Sequence, residues 1–178
     1  MLKRTLRVAG LYAETGDWVA VRSAVFDQNV FQSTKINTIS ADYSEIKRRL
    51  VTLSPQSLDL LSQASADTAK FINLIAIYNV YPVFREFMSE FVYGRVQMGN
   101  RELVRQHFLL FIEELKLREE SLRYKRDVTV KKSAGFIFQI LRETGLLNGE
   151  HLVQPLLPYE IEGLPELAGP AIRRALLQ

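Results

Sequence analysis

A mainly α, multi-helical fold is what this sequence predicts, and three features say so. Apolar residues recur at steps of three and four over most of the chain, the spacing of helices that bury one face. Helix start and stop residues punctuate that pattern: Gly16, Ser54-Pro55, Ser65, Pro82, Gly99 and Gly145. One stretch alone carries a hairpin signature, Asn148-Gly149 set between the apolar pairs Leu146-Leu147 and Leu152-Val153.

In chain order, "KRTLRVAGLYAET" places Leu6, Ala9, Leu11 and Ala13 near helical spacing, and Gly16 ends that helix. Asp17 caps the next, "WVAVRSAVFDQN", with Trp18, Val21, Val25 and Phe26 facing inward. "VFQSTK" reads as a turn. A third helix runs through "INTISADYSEIKRRLVTL", with Ile36, Ile39, Tyr43, Ile46 and Leu50 as its buried stripe. Ser54 caps a short fourth helix with Pro55 at its first position, where a missing N–H costs nothing. Ser65 caps "ADTAKFINLIAIYNVY", and Pro82 breaks or restarts it. "PVFREFMSEFVYGRVQMG" continues to Gly99. Asn100 caps "RELVRQHFLLFIEELKLREE", and Asp127 caps "VTVKKSAGFIFQILRET", which Gly145 ends. The hairpin near 146–153 follows. The tail, broken by Gly and Pro, holds one short closing helix from about Pro170.

These elements group into three parts: a lobe over 1–64, a central helical core over 65–120 and a lobe over 121–178. The first lobe has the texture of a helix-turn-helix. The last, a helix running into a short β-hairpin, has that of a winged helix. The spine between them is the most apolar stretch, "FINLIAIYNVYPVFREFMSEFV". From Phe71 to Phe84 it runs 14 residues without a charge, bracketed by Lys70 and Arg85. A membrane span needs about 20 mostly apolar residues, so this reads as core, and no membrane is expected as a partner.

Composition narrows the chemistry. Of 178 residues, 47% are hydrophobic and 24% charged, the balance of an ordinary globular protein. There is no cysteine, which excludes disulfides, thiolate catalysis and Cys-based zinc sites. The basic start is interrupted by Arg7, Glu14 and Asp17, unlike a secretory leader, and a cytoplasmic location is expected. His107 and His151 lie in different elements without metal-ligand spacing. Phosphate loops and nucleophile elbows are absent. Glu113-Glu114 and Glu119-Glu120 lie among Lys116 and Arg118, as solvent-facing ion-pair partners do. The expectation is a protein without catalytic activity, cofactor, metal or small-molecule substrate.

Charge is the more informative property. Residues 1–50 hold eight Lys/Arg against five Asp/Glu, and residues 116–132 hold seven against three. Two basic blocks flanking a neutral core suit nucleic acid, with solvated helix faces as the alternative. In the first block, Lys35, Asn37 and Thr38 open a helix after a turn, where side chains reach base edges and phosphates. Lys47, Arg48 and Arg49 at the far end of that helix suit the DNA backbone. In the second, Lys125, Arg126, Lys131 and Lys132, with Thr129, crowd the start of a helix whose later half is apolar. Cations at a helix N-terminus oppose the helix dipole, so they answer to something outside the fold, and phosphate is the obvious candidate. The hairpin would be the wing.

These residues resemble the BrxA family, the small non-enzymatic component of bacterial BREX phage-exclusion systems. The similarity spans nearly the whole chain. It is carried by "AIYNVYPVFREFMSEFV", by "NVFQ" followed by a Thr-bearing helix ending "EIKRRL", and by Thr129, Lys132 and Gly145-Leu146-Leu147 followed by "LVQPLL". The resemblance implies an all-helical protein with helix-turn-helix-like parts that binds double-stranded DNA and supports phage restriction beside other BREX proteins. The family has also been compared with a helical RNA-binding antitermination factor, and described as an inner-membrane family, which residues 71–92 do not support. This chain departs from the family pattern in having Lys35 where Ser is common and Ala41 where Arg is common. Asn29, Gln32 and Thr38 carry over. A protein–protein adaptor docking on a larger defence enzyme is the alternative of a different class; Tyr12, Trp18 or Tyr93 exposed together would favour it.

Overall fold

The computed structural model describes residues 1–122 and 127–178. Its helices are α1 (Leu2–Thr15), α2 (Trp18–Asp27), α3 (Ile36–Leu50), α4 (Pro55–Gln63), α5 (Ala66–Val80) and α6 (Pro82–Glu86), then α7 (Tyr93–Gln97), α8 (Arg105–Arg118), α9 (Asp127–Glu143), α10 (Tyr159–Glu162) and α11 (Pro170–Ala175). A π-helical turn, Phe87–Val92, joins α6 to α7. β1 (Leu147–Asn148) and β2 (His151–Leu152) pair antiparallel. The fold is mainly α with one small hairpin. The chain gathers into two compact units, Met1–Val80 with Leu157–Ala168, and Tyr81–Leu156 with Gly169–Gln178.

In the first unit α1 packs against α2, α3, α4 and α5. Gly16 takes φ +63° and turns the chain into α2. There the Asp17 carboxylate accepts from the N–H groups of Val19 and Ala20 at 2.9 and 3.2 Å, the expected cap. α3 buries Ile39, Tyr43, Ile46 and Leu50 as its spacing requires. Ile36 departs from the stripe and is 68% exposed, because it is the first residue of α3 and core contact begins a turn later, at Ile39. α5 is buried on every side from Phe71 through Tyr78, as a helix in the middle of a core must be. No described helix is long and apolar enough to cross a membrane.

Residues 157–168 return to this unit, with Ile161, Leu164 and Leu167 buried. Glu166 accepts from the Ser54 N–H at 2.6 Å and the Ser57 hydroxyl at 2.7 Å. Burial pushes this carboxyl up, but the hydrogen bonds from Ser54 and Ser57 together outweigh it and hold the group below the usual carboxylate range.

In the second unit Pro82 restarts the helix after an extended Tyr81. The π turn places Phe87 and Phe91 in a stack at 5.4 Å, with Phe108 edge-on to Phe87 at 5.0 Å. α11 packs on this turn, where the Ser89 hydroxyl donates to the Ala171 carbonyl at 3.2 Å. Asn100 does not cap α8. Residues 101–103 run beside the hairpin instead: Glu102 bridges His151, Leu103 N–H donates to Glu150 and Leu152 N–H donates to Arg101, both at 2.7 Å. Those ladder bonds win the segment from the helix, and α8 begins after Val104.

Candidate nucleic-acid interface

The start of α3 is fixed by the loop before it. Asn29 and Gln32 take left-handed φ values of +47° and +50°, and the Asn29 side-chain oxygen accepts from Ser33 N–H at 3.0 Å. From α1, Arg7 donates to the Val30 carbonyl and Arg4 to that of Phe31. Arg4 also pairs with Asp42 of α3. Held on these sides, the turn sets out Lys35, Asn37 and Thr38, all exposed. No acid lies in the first turn of α3, and Lys35, at the cap position, offers its N–H groups no side-chain acceptor.

From Asn37 the solvent face of α3 continues through Ala41, Ser44 and Arg48, in steps of four, three and four. Lys47 and Arg48 stand at the opposite end, about 15 Å along the axis from Thr38. Lys47 is half-buried, its ammonium 5.6 Å from the Trp18 ring centroid. Arg48 pairs with Glu45 at 2.8 Å. Arg49 was grouped with them by sequence, yet it is 3% exposed and takes the other Glu45 oxygen at 2.7 Å. Its place on the buried side of the helix keeps it from any outside phosphate.

Beside this face, α2 and α3 enclose a shallow groove. Its floor is Phe26 edge-on to Tyr43, with ring centroids 6.2 Å apart. Its rim carries Arg22, Ser40, Ser44 and Lys47. Burial pushes the Tyr43 phenol up, and its hydroxyl donates to the Trp18 carbonyl at 2.9 Å. Sequence reasoning passed over Arg22, Ser40 and Ser44. The only signal for them was the step from Ser40 to Ser44 to Lys47 along one flank of α3.

In the second unit α9 buries Val130, Ala134, Ile137, Phe138 and Leu141 and packs on α8. Its opposite side exposes Thr129, Lys131 and Lys132. The Thr129 carbonyl accepts from the Ser133 hydroxyl at 3.0 Å. Among the described residues no acid pairs with Lys131 or Lys132. Lys125 and Arg126 lie outside the described residues. The hairpin after α9 turns on Gly149, at φ +61°, and Glu150, so that Asn148 is the last strand residue and faces His151. The start of α9 thus exposes two adjacent cations, Lys131 and Lys132, whereas the start of α3 exposes a single one, Lys35, beside the neutral Asn37 and Thr38. Among the described residues no group of three His, Cys, Asp or Glu is placed to hold a metal ion.

A family model described as BrxA matches residues 1–164. A protein of Paramagnetospirillum magneticum (strain ATCC 700264 / AMB-1) described as "BREX protein BrxA" is 24% identical over 141 residues, covering 79% of this chain and 71% of that protein. A solved crystal structure of an uncharacterized protein from Magnetospirillum magneticum has the same fold, with a TM-score of 0.83 at 22% identity. The match covers 98% of this chain and 92% of that one.

Proposed function

Because the chain belongs to the BrxA family, we propose that it is a non-catalytic accessory protein of a BREX phage-defence system, acting by binding double-stranded DNA. The observation that carries this reading is the order of elements in the second unit. A helical segment is followed by the extended residues 101–103, then α8, α9 and a two-stranded hairpin laid against that extended piece. This is the order of a winged helix. In it α9 is the helix offered to the major groove and the hairpin is the wing. Lys131 and Lys132, exposed and without an acid partner among the described residues, stand where such a helix meets phosphate. Lys125 and Arg126, just before α9 in sequence, belong to the same proposed site. In the first unit we read α2, the turn and α3 as the corresponding helix-turn-helix, with Lys35, Asn37 and Thr38 as its proposed contacts and Lys47 and Arg48 at its far end.

The test is an anisotropy titration against duplex DNA, duplex RNA and single strands over a salt series. Duplex DNA should bind best, and log affinity should fall with log salt by about 0.9 per phosphate contact. Lys131→Glu with Lys132→Glu should weaken duplex binding at least about tenfold with unchanged circular dichroism. Unchanged affinity at low salt removes α9 from the interface. A second reading, an adaptor for another BREX protein, is favoured by one feature of the first unit. Tyr12 and Trp18 are half-buried rather than fully exposed, but they stack at 4.2 Å, with Val19 and Val51 exposed in the same unit. Tyr93 is in the second unit, beneath the Arg174 guanidinium.

A further inference from the structure

We propose that the groove between α2 and α3 is a phosphodiester-binding site, in which Arg22, Ser40 and Ser44 join Lys47 in holding the DNA strand that borders α3. The proposal rests on the duplex-binding reading above and adds a site to it. No acid is among the residues lining the groove. Ser40, Ser44 and Lys47 follow one another at steps of four and three, so they share the flank of α3 turned toward α2. That flank adjoins the Asn37–Ala41–Ser44–Arg48 face, whose middle positions carry only small side chains. A helix roughly 10–12 Å across fills a major groove about 12 Å wide. When that face meets base edges, its flank therefore meets the bordering backbone.

Arg22 is the new cation on the opposite wall. It is exposed, and its guanidinium lies 4.8 Å from the Phe26 ring centroid. Stacking on a ring leaves the in-plane N–H groups of a guanidinium directed outward, the geometry that suits a phosphate. Ser40 and Ser44, both exposed, add two hydroxyl donors of the kind that commonly bind phosphate oxygens. An acidic or bulky residue at either position would close the groove to a backbone.

The experiment is a salt-series titration of the full chain with a fluorescein-labelled duplex, comparing wild type, Arg22→Ala and Ser44→Asp. Trp18 is the only tryptophan and lies under Lys47, so its emission reports whether the groove is occupied. Arg22→Ala should lower affinity about fivefold across duplex sequences and flatten the salt slope by about 0.9. Ser44→Asp should lower affinity about tenfold or more and suppress the Trp18 response that wild type shows on duplex addition. Wild-type affinity and slope in both variants overturn this site and leave the duplex-binding reading standing. Failure of wild type to bind any duplex overturns that reading and this site with it. A Trp18 response to inorganic phosphate with none to bound duplex assigns the groove to a free anion and also overturns the proposal.

Discussion

His107 does with a ring nitrogen what glutamate or glutamine usually does at the third residue of a helix. It reaches back to the residue before α8 and accepts the Val104 N–H on Nδ1 at 3.1 Å. This bond requires an unprotonated Nδ1. Burial lowers the His107 pKa first, and the nearby Arg95 charge lowers it further. A histidine whose folded pKa is depressed contributes stability that is full above its unfolded value of about 6.5 and is lost as pH falls through the folded value. Wild type should therefore lose stability below about pH 6.5 relative to His107→Gln, whose amide supplies an acceptor at every pH. His107→Ala should cost about 1 kcal/mol at neutral pH. Urea midpoints of the three proteins across a pH series check both statements, and parallel curves remove the histidine from the cap. From sequence His107 is one histidine in an amphipathic helix, because its role depends on where the helix starts, and that is decided by a hairpin 40 residues later. Lys35, Thr129, Lys131 and Lys132 were legible, since exposed polar residues at a helix start show directly in the periodicity. The stripe of α3 sets Lys47 and Arg49 on its two flanks at similar angles, and it is tertiary packing, which no local pattern encodes, that buries Arg49 and leaves Lys47 half-buried.

Among the elements, the legible ones had local causes. Asp17 and Ser54 accept from N–H groups two or three residues away, Pro55 has no N–H to leave unpaired at the first helical position, and the structure keeps all three where the sequence put them. The hairpin was legible in place but not in register. Asn148-Gly149 suggests a central pair with both residues at positive φ. In the structure only Gly149 has it, at the first central position, as a type II′ turn asks, and Glu150 follows. The three-way pairing with residues 101–103 sets that register, and no local pattern encodes it. Gly149→Val should therefore cost about 1–3 kcal/mol by forcing a β-branched residue into the left-handed region. Asn148→Ser should stay within about 0.5 kcal/mol, as at an ordinary exposed strand position. Chemical denaturation of the two variants decides between the registers, because a central Asn148 makes both costly. The π turn at 87–92 was not legible either: Phe87, Met88, Phe91 and Val92 keep a spacing that an α-helix also accommodates, so the apolar pattern does not tell the two apart.

At the scale of the molecule, the tail is what the sequence most understates. The sequence shows its Gly/Pro breaks and a short closing helix from about Pro170, which is α11, but not that the chain crosses between the units at 80–81, again at 156–157 and again at 168–169. Residues 157–168 supply Ile161, Leu164 and Leu167, at most 2% exposed, to the first unit, along with the Glu166 bonds to Ser54 and Ser57. Residues 169–178 supply Ile172, Leu176 and Leu177 to the second unit, where α11 packs on the π turn. Each fully buried Leu or Ile is worth about 2 kcal/mol, so either half of the tail contributes about 6 kcal/mol. Net stabilities are about 5–15 kcal/mol, so loss of either half removes most of what a unit has. Deleting residues 169–178 should leave the first unit protected from hydrogen exchange while the second, with the Lys131 and Lys132 site, exchanges freely and loses its share of duplex binding. Deleting residues 157–178 should abolish the cooperative urea transition altogether. A truncated chain that melts like the full one makes the tail an appendage, and the burial of its leucines then carries no weight in holding either unit together.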